Sequence, residues 1–332
     1  MFEHGIHCGV YDQGPAVYTE QAERSEYALQ LFVSATVHVA LQLLFIFYVI
    51  GCRRCEDDGN KLMVLISFFS IIILTISGPV AAWISEKNVK YCDGVVLMEI
   101  LGYLLTMSWI IYTSLLTIYG WYVTTRILRR KTYLHGRRLF LAIGGALLVS
   151  SLALSSDPPI YSATFGFWDY NPFLEFEDTT VSGGHEVIYL YNVFVCLAMG
   201  AMIVFWFMKR ENVPGPNHID LNNTQDYQFF VFMGVYFSIT IIIGTILFTD
   251  GTCKEGENFC QIFHLLASFG FGSNVVYSII LSRPLRTFFR RITRKSPIYA
   301  SDSYISSDTA TNKTTATDAS HQNPANYHNN PV

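Results

Sequence analysis

Seven apolar stretches occupy residues 27–51, 62–85, 94–120, 138–155, 186–208, 228–248 and 260–283, with little between them. About 20 apolar residues in helical form cross the hydrocarbon core of a bilayer. A helix is the default element there because it satisfies its own backbone donors and acceptors. The stretches therefore predict an all-α integral membrane protein, a bundle of seven transmembrane helices. An odd count puts the two termini on opposite sides. The composition agrees, since 332 residues with 51% hydrophobic and 14% charged side chains are too apolar for an ordinary soluble domain. The chain divides into an extracellular N-terminus (1–26), the membrane domain (27–283), a juxtamembrane segment (284–295) and a tail (296–332).

Charge sets the orientation. With the N-terminus outside, the inner connections and the tail hold 18 of the 22 Lys and Arg residues; Arg24, Lys87, Lys90 and Lys254 are the 4 left outside. Excess Lys and Arg marks the cytoplasmic side. The expectation is a multi-pass plasma-membrane protein, N-out and C-in. The first 25 residues show no basic segment followed by an apolar run, so the first span is expected to direct its own insertion.

The seven cysteines divide by side. Cys8, Cys92, Cys253 and Cys260 fall outside, in an oxidising compartment, and allow three pairings. Cys253–Cys260 would close the short third outer loop, and Cys8–Cys92 would tie the N-terminus to the third helix; free thiols are the alternative. Cys52 and Cys55 form one CxxC with no second pair, which does not make a zinc site and fits palmitoylation or no role. Cys196 lies within the fifth span.

The connections differ in character. The second outer loop, about 156–185, is rich in aromatic residues, among them Tyr161, Phe165, Phe167, Trp168, Tyr170, Phe173 and Phe176. Full solvation of so many rings is costly. The loop is expected either to close over the bundle mouth as a lid or to lie in the membrane interface. The second inner loop, 125–138, is strongly basic; the third, with Pro214, Gly215 and Pro216, reads as flexible. In 284–295, Leu285, Phe288, Phe289 and Ile292 recur at helical spacing, with Arg286, Arg290, Arg291 and Arg294 on the other side. That pattern predicts an amphipathic helix on an anionic inner leaflet. The Ser/Thr-rich tail lacks the apolar residues to fold.

Polar groups inside a bilayer are expensive and often mark function. His38 and Gln42 share a face of the first helix; the simplest role is an interhelical hydrogen bond. Glu99, Tyr103 and Thr106 share a face near the outer end of the third helix, at spacings of four and three. Glu186, Tyr189 and Asn192 do so in the fifth, and His264 and Ser268 sit in the outer half of the seventh. These faces can converge on a pocket open to the outside for a small molecule. Glu99 would suit a cationic or hydrogen-bonding ligand; a solvated carboxylate at the interface is its other role.

Enzyme signatures are missing: the chain has no HExxH, paired His box, nucleophile elbow or Gly-rich phosphate loop in context. No enzymatic activity, cofactor, metal or nucleic-acid partner is expected. Residues 260–283 contain no lysine, which leaves retinal no Schiff-base partner.

Several segments carry a resemblance. Ser273-Asn274-Val275-Val276-Tyr277 looks like the NPxxY motif of rhodopsin-like G-protein-coupled receptors, with valine in place of proline. The following Arg283-Pro284-Leu285-Arg286 resembles the start of that family's membrane-surface helix. Gly120-Trp121-Tyr122 sits where the family has its DRY triplet, and Ile127-Leu128 occupies the apolar inner-loop position inserted into a G protein. Ser156-Asp157-Pro158-Pro159 is similar to a common ending of helix four. The chain thus resembles the class A receptors, and especially their divergent nematode serpentine chemoreceptor relatives. It departs from them in lacking a helix-two aspartate, a helix-four tryptophan, helix-five and helix-six prolines, and a cysteine in the second outer loop. The resemblance implies a chemosensory receptor for an extracellular small molecule, coupled to a heterotrimeric G protein. Trp121, Tyr122, Ile127, Leu128, Asn274 and Tyr277 would then serve coupling. The alternative is a non-signalling seven-helix protein: an ion channel, trafficking partner or structural subunit.

Overall fold

The first helix shows how this chain sorts its residues without a polar face. Helix α1 spans Gln21–Gly51. Ala28, Leu31, Ala35, His38, Gln42, Phe45 and Val49 are buried, at alternating spacings of three and four. Phe32, Val33, Leu44, Phe47 and Ile50 are exposed on the opposite side. In water such a face would be a liability; in a bilayer it is the lipid contact. What distinguishes the buried row is shape and polarity, since helix association in lipid runs on close packing and interhelical hydrogen bonds. A repeat averaging 3.5 residues is that of a left-handed helix seam. The helix starts six residues before the apolar stretch, so Gln21–Glu26 of the expected outer segment is helical.

The computed structural model describes residues 21–51, 58–87, 95–129, 136–155, 158–162, 167–169, 184–210 and Phe271. All belong to one compact unit, Met1–Phe289. The expected spans 228–248 and 260–283, apart from Phe271, lie outside the described residues. So do the 284–295 helix, the tail, Cys8, Cys92, Cys253 and Cys260.

The second span is one rod built of α2 (Asp58–Thr75), a π-helical turn (Ile76–Val80) and α3 (Ala81–Lys87). Pro79 explains the turn. It has no N–H to donate and its ring crowds the carbonyl four residues back, so a regular α-helix cannot continue through it. Widening by one residue restores the ladder: the Ala81 N–H reaches the Ile76 carbonyl.

Helix α4 runs Val95–Arg129, 35 residues, and corrects the expected third span of 94–120. No Gly or Pro interrupts 121–129, and a helix leaving the bilayer needs no apolar residues to persist. Ile127 and Leu128, expected in an inner loop, are therefore helical, and the connection to the next span is shorter than 125–138. Helix α5 spans Arg137–Ser150 and tightens into a 3-10 turn, Ser151–Ser155. Its N-cap, Gly136, has φ 56°, a conformation that glycine adopts without strain. The Gly136 N–H points to the buried carboxylate of Asp58 at 3.4 Å, joining the starts of α5 and α2. Asp58 also pairs with Lys61 at 2.8 Å.

The segment expected to be the second outer loop contains a two-stranded antiparallel hairpin, β1 (Ile160–Ser162) and β2 (Phe167–Asp169). Helix α6 follows at Gly184–Arg210. Among the described residues, three segments are long and apolar enough to cross a membrane: Ala28–Gly51, Asp58–Lys87 and Val96–Tyr122; Leu190–Phe205 is a shorter apolar run. The main core joins α1, α2, α4 and α6 through Phe45, Leu62, Ile66, Leu74, Tyr112, Leu115, Leu116, Met199 and Met202.

Candidate functional site

The hairpin fixes one end of the bundle. Tyr161 on β1 stands opposite Trp168 on β2, and their rings meet at 5.5 Å and 64°. Tyr161 is buried, with its hydroxyl hydrogen-bonded to Ser85 of α3. Ala28, Leu31, Ala81, Ala82, Ile84 and Met98 surround it, so the hairpin is a plug set among α1, α3 and α4. The lid expectation holds for these strands; residues 170–178 lie outside the described ones. Among the described residues, the Trp168 indole N–H is buried without a hydrogen-bond partner.

On α4 the hairpin's approach meets the expected site residues. Glu99 and Tyr103 are half-buried and Thr106 is buried. The Thr106 hydroxyl donates to the Gly102 carbonyl at 3.0 Å. Any side chain at Gly102 would collide with the Pro159 carbonyl, so the chain enters β1 beside residues 99–106 only because glycine is there.

One turn further along, α4 meets α6. Trp109 Nε1 donates to Asn192 Oδ1 at 3.1 Å, both within the interior. The Tyr191 hydroxyl donates to the Ile110 carbonyl at 2.9 Å and lies 2.7 Å from the hydroxyls of Thr113 and Ser114. Phe271 seals this level, edge-on to Trp109 at 5.2 Å and to Tyr112 at 5.3 Å. Trp109, Tyr191, Asn192 and Phe271 thus make a floor beneath the level of Tyr103 and Thr106. Tyr189 lies in α6 three positions before Asn192. His264, Asn274 and Tyr277 lie outside the described residues.

Below the floor, Gln42 Nε2 donates to Ser70 Oγ at 3.3 Å and to the Phe271 carbonyl at 3.2 Å; Ser70 Oγ donates to that carbonyl at 2.8 Å. Gln42 is therefore the interhelical glue expected from the sequence. His38 bonds the Ser34 carbonyl within its own helix, at 2.8 Å. At the far end of α4, Tyr122 is buried, while Trp121 is exposed and lies against Phe205 of α6 at 5.9 Å.

Sequence reasoning missed Trp109 and Tyr191, whose aromatic character reads as ordinary core or interface. It also missed Phe271, whose carbonyl does the bonding. Among the described residues no group of His, Cys, Asp and Glu is placed to hold a metal ion.

No protein-family model and no curated protein matches the sequence. Solved structures share its fold. Squid rhodopsin matches with a TM-score of 0.67 and 14% identity, over 86% of this chain and 90% of that one. At that identity the likeness establishes architecture alone: a multi-pass helical membrane bundle built like rhodopsin.

Proposed function

We propose that the chain is a seven-span plasma-membrane receptor of the rhodopsin-like kind, N-terminus outside and C-terminus inside. It senses an extracellular small molecule, as a chemoreceptor does, and signals through a heterotrimeric G protein. The observation that carries this is the floor at Trp109, where α4, α6 and Phe271 meet beneath the hairpin that buries Tyr161. It gives the outer half a closed bottom and a covered top. Glu99, Tyr103 and Thr106 lie at the level between, on α4. Asn192 belongs to the floor itself, Tyr189 comes three positions before it in α6, and His264 lies two turns before Phe271 in the expected seventh span. A cationic or hydrogen-bonding ligand suits this set.

The mechanism is population shift. A ligand that binds one arrangement of the floor better favours the bundle state with an open inner face. Trp121, Tyr122, Ile127, Leu128, Asn274 and Tyr277 would line or gate that face. The fold likeness supports the architecture and leaves function to the site. The 18-to-4 charge split supports the orientation. The proposed Cys253–Cys260 and Cys8–Cys92 bridges belong to the same orientation, as does the surface helix at 284–295.

One observation favours a non-signalling protein. Trp121 stands where the resembling family carries its switch arginine, and its ring lies against Phe205. Nucleotide exchange on G proteins, measured beside nanodisc-borne receptor with a panel of small amines and polar organics, separates the two. The receptor account expects exchange that rises with a compound and falls in Glu99→Gln. Compounds that raise the thermal stability of the protein without exchange on any G-protein class would establish the non-signalling reading.

A further inference from the structure

Helix α6 presents one outward row. Leu190, Phe194, Leu197, Ala201 and Val204 follow each other at spacings of four and three, and all are exposed. Such a row belongs against hydrocarbon. At its Arg210 end the row thins to alanine, and a groove of about 550 Å³ opens between α6 and α4. Its walls are Ala198, Ala201, Met202, Val204 and Phe205 on one side and Thr117 and Trp121 on the other. The Thr117 hydroxyl is already spent on the Thr113 carbonyl at 2.9 Å. The groove thus asks for hydrocarbon, and Trp121 and Phe205 flank it toward the helix ends.

Both helices continue beyond it into positive charge. Arg126 and Arg129 follow Trp121 on α4, and Lys209 and Arg210 end α6; no acidic residue lies in 122–129 or 206–210. Arg126 and Arg210 each come five residues after the groove's last ring, about 7.5 Å along the axis at 1.5 Å per residue. An apolar slot between two helices whose ends carry four basic residues and no acidic one matches one kind of occupant.

We propose that this groove binds one acyl chain of an anionic phospholipid from the leaflet at the Arg129–Arg210 end, its headgroup held at the basic helix ends. The proposal needs only that α4 and α6 sit in a bilayer, and is independent of any signalling role.

Native mass spectrometry of the full chain, released from nanodiscs of mixed phosphatidylserine and phosphatidylcholine, tests it. One phosphatidylserine should remain bound in preference to phosphatidylcholine. Ala201→Phe fills the groove from the lipid-facing row without entering the core, and should remove that lipid. Arg126→Ala combined with Arg210→Ala should weaken its retention by about tenfold or more. In a second measurement, phospholipid brominated on its acyl chains should quench the protein's tryptophan emission, and Trp121→Phe should lose a share of that quenching, the remainder coming from other exposed tryptophans such as Trp83. Equal retention of the two lipids, or phosphatidylserine retained unchanged in Ala201→Phe, overturns the proposal. So does quenching that is the same in Trp121→Phe as in the parent protein.

Discussion

Gln42 and Ser70 stand 3.3 Å apart and both donate to one backbone oxygen, that of Phe271. Three segments distant in sequence are therefore joined at a single carbonyl. Interhelical hydrogen bonds in bilayers are worth about 0.6 kcal/mol on average and up to about 1.7. Gln42→Leu removes two of the three bonds and should cost about 1–2 kcal/mol. Ser70→Ala also removes two of the three and should cost a similar amount, and the double variant less than the sum, since the sites share a bond and a partner. Thermal melts of the three proteins in one detergent decide it. Unchanged melting in Gln42→Leu would mean that the joint holds nothing.

Trp109 and Asn192 tie α4 to α6 at the floor. Asn192→Leu leaves a buried indole N–H unpaired, at a cost of about 1–3 kcal/mol. It should also lower the ligand response more than the cell-surface amount, because the floor sets the depth of the site. Trp109→Phe strands the Asn192 carbonyl instead and should do the same. Surface labelling beside a dose–response curve separates floor from scaffold; proportional losses in both would assign the pair to folding alone.

How much of this was legible depends on where each signal lives. The rods among the described residues were, because hydropathy over about 20 residues records the bilayer itself. Gln42 was, because an amide within an apolar stretch has few other uses. Its partner was not: a main-chain carbonyl has no residue identity, and nothing in the letter F at Phe271 says which oxygen is bonded. The end of α4 was misjudged because hydropathy reports where the membrane stops and not where the helix does; Trp121 to Arg129 stays helical in the basic region beyond. In the 156–185 loop Tyr161 and Trp168 announced their packing through aromatic character, while the β1–β2 pairing went unread. Three-residue strands are too short for alternation to show. Glu99, Tyr103 and Thr106 were placed on one helix face by spacing alone, and α4 puts them there.

Cys253 and Cys260 are expected to pair. Six residues separate them, Gly256 among them, and the second outer loop offers no partner. Mass spectrometry of unreduced peptides reports the linkage. A free thiol at either position, or a bridge from either to Cys8 or Cys92, refutes the pairing.

Tyr277 is expected to face the bundle interior near Tyr122, which is buried, and to act in signal transmission. Val275 keeps the backbone donor that proline would remove, so the span can stay regular there. Tyr277→Phe should weaken ligand-driven G-protein activation while surface expression holds. Normal signalling from a normally expressed variant would make the residue an anchor at the membrane interface.

The account's central claim is an odd number of spans with the N-terminus outside, on which the outer site, the inner coupling face and the disulfides all depend. Epitope tags before Met1 and after Val332, probed by antibody in intact and in permeabilised cells, test it most directly. The account expects the first tag to be stained on intact cells and the second only after permeabilisation. Tags accessible on the same side would contradict the seven-span receptor and everything derived from it.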